Sequence, residues 1–343
     1  MENNFFCKNI FSAKFITVKF CAVLFLFSSC AVVEQTSRDN FPQEINIVKF
    51  YEPDVRVLLN FPQKLDTTKP TLLILYALPN GNSIEMTFGK ILTPNDDWHF
   101  DIQHIAAQTR FIRKALKEKN IIVAYLEAEE KSWPRWRQKH SDSLQNIIRI
   151  VDQIRLETGN PTEVALTGHS GGGSFITGFI NAYEHIPAYI FRIAYLDANY
   201  SYDDSLHHGR KIIEWLKKDT AHTLSVIAYD DREITYNGKK VVSPTGGTFR
   251  ATDRMIQRFK REEKLSFHQD STIQYYAALN NQAQFIIHTN PDTLILHTVL
   301  VEKNGFIHAL LVNTPYENIE YTFFGTRAYS QYIQKEIPWQ KLP

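Results

Sequence analysis

Residues 164–180, VALTGHSGGGSFITGFI, constrain this chain more than any other stretch. The apolar run Val164-Ala165-Leu166 leads into Gly168-His169-Ser170-Gly171-Gly172, and Phe175, Ile176, Phe179 and Ile180 then recur at helical spacing. A strand, a tight turn and a helix are the setting in which a G-x-S-x-G sequence lifts a serine clear of a sheet. Glycines on both sides of Ser170 let the backbone turn sharply and pack closely without a Cβ clash. Gly171 and Gly172 also open the helix, so unpaired N–H groups and the positive end of the helix dipole lie beside Ser170. An oxyanion formed on an acyl carbon fits there, with Gly171 as one donor.

Similar alternation surrounds this stretch. Residues 44–49 and 55–60 read as two early strands around a Glu52-Pro53-Asp54 turn. The unbroken apolar runs 71–77 (TLLILYA) and 121–125 (IIVAY) read as strands buried on both faces of a parallel sheet. Further strands are expected at 188–196, 224–228 and 294–301, the last of them LILHTVLV. Amphipathic helices are expected at 104–119, 142–158, 209–218 and 249–264, with a closing helix at 328–336. The predicted fold class is therefore α/β: a mostly parallel central sheet flanked by helices on both faces. Residues 233–285 break the alternation and read as an insertion between the last two core strands, either a lid beside the site or an extension of the sheet.

Charge and cysteines narrow the partners. A net charge of +1 over 343 residues gives no global basic field, so nucleic acid is not an expected partner. The three cysteines, Cys7, Cys21 and Cys30, all lie in the first 30 residues, which leaves the rest without a disulfide, a thiolate metal site or a cysteine nucleophile. Lys8, Lys14 and Lys19 followed by the short apolar core 20–27 read as an export signal, too short to span a membrane. Leu26-Phe27-Ser28-Ser29-Cys30 resembles a bacterial lipoprotein signal, with Phe27 where leucine is usual. That resemblance implies lipidation of Cys30, a signal peptide at 1–29, a tether at 30–42 and a folded domain at 43–343. It also implies that the protein is exported and held on a membrane, on the periplasmic or cell-surface side.

On the Gly168-His169-Ser170-Gly171-Gly172 elbow and the order of polar residues at strand ends, residues 44–340 resemble the α/β-hydrolase family. The resemblance implies a catalytic serine, acid and histidine in that chain order. Ser170 would be the nucleophile and His308, in the Gly-Phe-Ile-His loop after the run 294–301, the base. His288 and His297 are rivals within or before strand-like runs. The acid would be Asp231, with Asp230 beside it, or Asp197 after the preceding strand. The second oxyanion donor would come from the turn after 71–77, where Pro79 has no N–H and Leu78, Asn80 or Gly81 must supply one.

Other residues carry weaker signals. Trp133, Arg135 and Trp136 follow the strand 121–125 and could stack on a ring or hold an anion, or form an ordinary surface loop. Arg250 lies on the basic helix 249–264, which could meet phosphate or simply face solvent. His169 sits beside Ser170 on a tight turn that points it away from the serine, so it is a candidate substrate contact rather than the base. His99, His104, Asp97 and Asp101 cluster without a metal-ligand motif, and neither a metal nor a cofactor is expected. The function expected is an exported serine hydrolase acting on an ester, with an aromatic or anionic substrate hinted by the Trp and Arg residues. A serine peptidase, an acyltransferase or a non-catalytic tethered binding protein of the same fold remain open.

Overall fold

The computed structural model describes residues 32–33 and 43–339. Cys30 and the export signal before it lie outside the described residues, as does the tether apart from Val32 and Val33. Those two residues pair antiparallel with Ile47 and Asn46. Among the described residues no helix is long and apolar enough to cross a membrane.

Among the described residues, ten strands of the large sheet and eight α-helices carry the fold. The strands are β1 (Glu44–Tyr51), β2 (Val55–Pro62), β3 (Thr71–Ala77), β4 (Asn120–Ala128), β5 (Glu163–His169), β6 (Ile190–Leu196), β7 (Thr223–Tyr229), β8 (Ser266–Gln269), β9 (Ile273–Ala278) and β10 (Ala283–His288). The helices are α1 (Ile84–Phe88), α2 (Ile105–Ala115), α3 (Trp133–Lys139), α4 (Ser143–Glu157), α5 (Gly173–Ala182), α6 (His208–Lys218), α7 (Thr248–Lys260) and α8 (Phe306–Leu311). With Val32–Val33 at one edge, the sheet runs β1-β2-β4-β3-β5-β6-β7-β10-β9-β8. Pairing is parallel from β4 through β3, β5, β6 and β7 to β10, and antiparallel at both flanks. Each parallel pair needs a crossover, and helices supply it.

Alternation along the strands splits the core in two. Leu73, Leu75 and Leu166 point to the face covered by α3, α4, α5, α6 and α7. Ile74, Tyr76, Ala165, Ala194 and Leu196 point to the face covered by α1, α2 and α8. Period-two side-chain direction causes this: neighbouring residues of one strand belong to opposite layers. Which layer a helix joins therefore decides which strand ends its residues can reach.

Three segments depart from the pattern read in the sequence. The run 294–301 is not a strand. The last parallel strand is β10, six residues earlier, and 294–300 is a loop that winds into an irregular helical turn before α8. Leu296, Leu300 and Val301 are buried there while Leu294 and Ile295 are exposed, so the apolar residues of the run pack only in part and none of them pairs in the sheet. The segment 233–285 is mostly not a lid. Its helix α7 buries Ala251, Met255, Ile256 and Phe259 as the crossover from β7 to β10, and β8 and β9 extend the sheet edge. The short hairpin Thr235–Tyr236 with Lys239–Lys240 stands exposed, as does the edge strand β8. The expected closing helix is reduced to one turn, Ser330–Tyr332.

Candidate active site

Sheet register brings the polar strand ends together. Ala77 pairs with Gly168. His169 pairs with Leu196, Leu196 with Ile227 and Tyr229 with His288. The residues that leave these strands, Asn80, Ser170, Asp197 and Asp230, thus emerge at the same edge, the C-terminal edge of the parallel strands. The chain passes from β3 to one side and from β5 to the other, so the crevice between them is a topological switch point, where α/β sheets bind ligands.

Ser170 begins the turn between β5 and α5 with φ +52°. A non-glycine residue in the left-handed region is strained, and such strain is kept where the surroundings enforce it. Ser170 lines a pocket of about 240 Å³ with Asn80, Pro134, Gly171, Ser174, Ala198, Tyr200 and Ser201. None of these side chains is charged. The Asn80 amide lies on Gly171, where an added Cβ would come within 2.0 Å of its Oδ1, so a side chain there would displace the amide.

The loop after β10 brings His297 to the same edge. Its Nδ1 is 2.5 Å from Oδ2 of Asp197, the residue that ends β6. Asp197 is buried, and its Oδ1 accepts a hydrogen bond from the Thr248 hydroxyl. Nδ1–H of His297 is therefore the donor to the carboxylate, which leaves Nε2 free to accept a proton. The His297 ring lies 4.6 Å from the ring of His169 and 6.4 Å from that of Tyr200, so it stands against the residue before Ser170 and against a wall of the pocket. His169 donates from Nε2 to the His297 carbonyl at 3.1 Å. Burial, then the neighbouring His297, pushes the His169 pKa well down, so its imidazole is neutral. The Tyr229 hydroxyl is held by the backbone of Leu296 and His297 and fixes the same loop.

Several residues expected to complete the triad do not. His308 is on α8, in the layer opposite α5, packed 4.9 Å from the ring of Phe323 and hydrogen-bonded to the Tyr321 hydroxyl at 3.1 Å. Burial and the charge of Arg192 push its pKa down to about 3, so it is a neutral core residue. The misplaced last strand explains the error, because the loop after β10 ends in His297 and not in His308. Asp231 makes no bond to a histidine; its Oδ2 accepts the Thr248 N–H at 2.8 Å, at the start of α7. Asp230 is clamped by Arg232 at 2.7 Å. Asp197 is the carboxylate that meets a histidine.

The oxyanion and substrate candidates also sort by geometry. The Leu78 N–H is spent on the Leu126 carbonyl at 3.1 Å and that of Gly81 on the Lys131 carbonyl at 2.9 Å. Asn80 is the remaining candidate beside Gly171. Trp133 and Trp136 are buried and donate to the Leu126 and Pro53 carbonyls. Ser132 caps α3 and Pro134 occupies its first turn, so the supposed loop is a helix that turns both indoles inward. Arg135 is exposed beside Glu130, and Arg250 donates to the Gly246 carbonyl at 3.1 Å. His169 is buried behind the elbow and does not face the pocket. His99 and His104 are taken up by Asp97 and Asp101. Thr248, Tyr200 and Tyr229 had no sequence signal, because each is placed by a neighbouring strand or helix rather than by its own motif.

A mostly parallel sheet covered on both faces, with a strained serine at the β5–α5 turn, defines an α/β-hydrolase arrangement. No family model matches the chain, and no curated protein matches it. Among solved structures it is similar to a thermostable esterase, at 12% identity over 78% of this chain and 63% of that one, with a TM-score of 0.47. The chain thus spans less than two thirds of that esterase's length. It is similar to a predicted CIB-like hydrolase from Thermoplasma acidophilum, at 9% identity over 78% of this chain and 98% of that one, with a TM-score of 0.40. It is also similar to a feruloyl esterase module from Clostridium thermocellum complexed with sinapinate, at 9% identity over 76% and 87%, with a TM-score of 0.44.

Proposed function

We propose that this chain is an exported serine hydrolase that cleaves an ester of an uncharged acyl group. The observation that carries the reading is the bond from His297 to the buried Asp197, at the sheet edge where Ser170 stands on a strained turn. In this reading His297 Nε2 takes the Ser170 hydroxyl proton as Oγ attacks the ester carbonyl. Gly171 N–H and Asn80 hold the oxyanion of the tetrahedral intermediate. His297 returns the proton to the departing alcohol, and water then cleaves the acyl-enzyme by the same steps in reverse order. Asp197 orients the imidazole and stabilises its charged form.

The uncharged, hydroxyl-lined pocket favours a neutral acyl group. Neither Arg135 nor Arg250 lines it: Arg135 is exposed beside Glu130, and Arg250 donates to the Gly246 carbonyl. Export and lipid attachment at Cys30 rest on the sequence of the first 30 residues. Labelling with a fluorophosphonate probe tests the catalytic reading. Wild type is expected to label, and Ser170→Ala and His297→Ala are not. A folded wild type that does not label would favour a non-catalytic binding protein. Metabolic labelling with a fatty-acid analogue, lost in Cys30→Ser, tests the anchor.

A further inference from the structure

A second buried carboxylate stands directly behind the Asp197–His297 pair. Thr248, fully buried, joins the two acids: its hydroxyl donates to Oδ1 of Asp197, and its N–H donates to Oδ2 of Asp231 at 2.8 Å. The Thr248 Oγ1 is also 3.4 Å from that same Asp231 oxygen. Asp231 is 1% exposed, and its Oδ1 has no hydrogen-bond partner. An acceptor left bare in the interior is costly, and a plain helix cap does not require it. The preceding residue is shaped for this carboxylate. Gly247 has φ +93°, and an added Cβ would lie 2.5 Å from both Asp231 oxygens.

We propose that Asp231 is a positioning residue of the site, acting through Thr248 to hold Asp197 against His297 and to place a second ionisable charge behind that pair. The inference rests on the serine-hydrolase reading. Burial, then the charge of Asp197, pushes the Asp231 pKa up to about 6. Asp231 therefore changes charge in the range where a histidine base does. The titratable and charged groups around it are Asp197 and Tyr200 from the β6 end, Tyr229, Asp230 and Arg232 from the β7 end, Arg250 from α7, and His297 with His169 across the edge. Arg232 faces Asp230 at 2.7 Å and so is mainly engaged there. When Asp231 ionises, the added negative charge behind the pair favours the protonated form of a neighbouring imidazole over the neutral one.

The experiment is the pH dependence of fluorophosphonate labelling of the full-length chain, compared with Asp231→Asn, Thr248→Val and Thr248→Ser. The Asn side chain keeps an acceptor for the Thr248 N–H, so a purely structural Asp231 would change the melting temperature at most. The expected result is an acid limb in Asp231→Asn displaced to lower pH by about half a unit or more, and steepened to a single-proton slope. Thr248→Val should slow labelling about tenfold and Thr248→Ser should restore it to within about twofold, since only the hydroxyl bridge matters. An acid limb in Asp231→Asn superimposable on wild type overturns the inference. If that variant does not fold, a Thr248→Val that labels like wild type overturns it instead. A wild type that never labels brings down the hydrolase reading itself, and this inference with it.

Discussion

Two histidines eleven residues apart were both candidates for one role, and the structure gives them opposite surroundings. His297 lies on a loop at the C-terminal edge of the sheet, a quarter exposed, with a carboxylate 2.5 Å away. His308 lies in the core on α8, stacked on Phe323, with burial and then the Arg192 guanidinium pushing its pKa down. A general base needs a partner that stabilises its charged form and a face open to substrate. A core imidazole needs neither; burial favours its neutral form. Proximity in sequence is no guide, because the irregular turn at Val301–Gly305 carries the chain from the sheet edge into the opposite layer.

The sharpest way to break this comparison is to truncate each histidine. His297→Ala is expected to lower ester turnover about 10⁴-fold or more with the fold intact by circular dichroism. His308→Ala should keep turnover within about threefold while losing about 2 kcal/mol of stability to urea. The reverse pattern would return the base to His308. The acids give the next contrast. Asp197→Asn should cost about 10⁴-fold in kcat, because the imidazole loses the acceptor that fixes its tautomer. Asp231→Asn should cost less than about tenfold at pH 8, since it acts through Thr248. Equal losses would mean the two carboxylates share the role.

Stability against pH separates the two buried groups further. The His308 pKa is depressed in the folded state, so the stability tied to it is present at neutral pH. It is lost as pH falls from the ordinary histidine value toward about 3. Urea titrations should show a loss of up to about 5 kcal/mol across that window that His308→Phe lacks. The Asp231 pKa is raised, so its sign is opposite: stability is greatest in acid and declines as pH rises from the ordinary carboxylate range through about 6. Asp231→Asn should remove that decline. The smallest effect is expected at Arg135, exposed beside Glu130: Arg135→Ala should leave KM within about twofold for a neutral ester.

What the sequence determined by itself was local or strongly periodic. The apolar runs 71–77, 121–125 and 164–166 fell in β3, β4 and β5 because strands buried on both faces are largely apolar. The Gly168-His169-Ser170-Gly171-Gly172 turn became a strained elbow because its neighbours in the chain dictate it. Tertiary structure decided the partners of Ser170. LILHTVLV at 294–301 is apolar in a way that a strand, a packed loop and a helical turn all share, and periodicity cannot separate them. Whether Asp197, Asp230 or Asp231 meets a histidine depends on sheet register and on the start of α7, each set by contacts between residues tens of positions apart. Trp133 and Trp136 face inward because Ser132 and Pro134 start a helix whose apolar side has a sheet to pack against. Local sequence fixes which groups can do chemistry, and long-range packing fixes which of them meet.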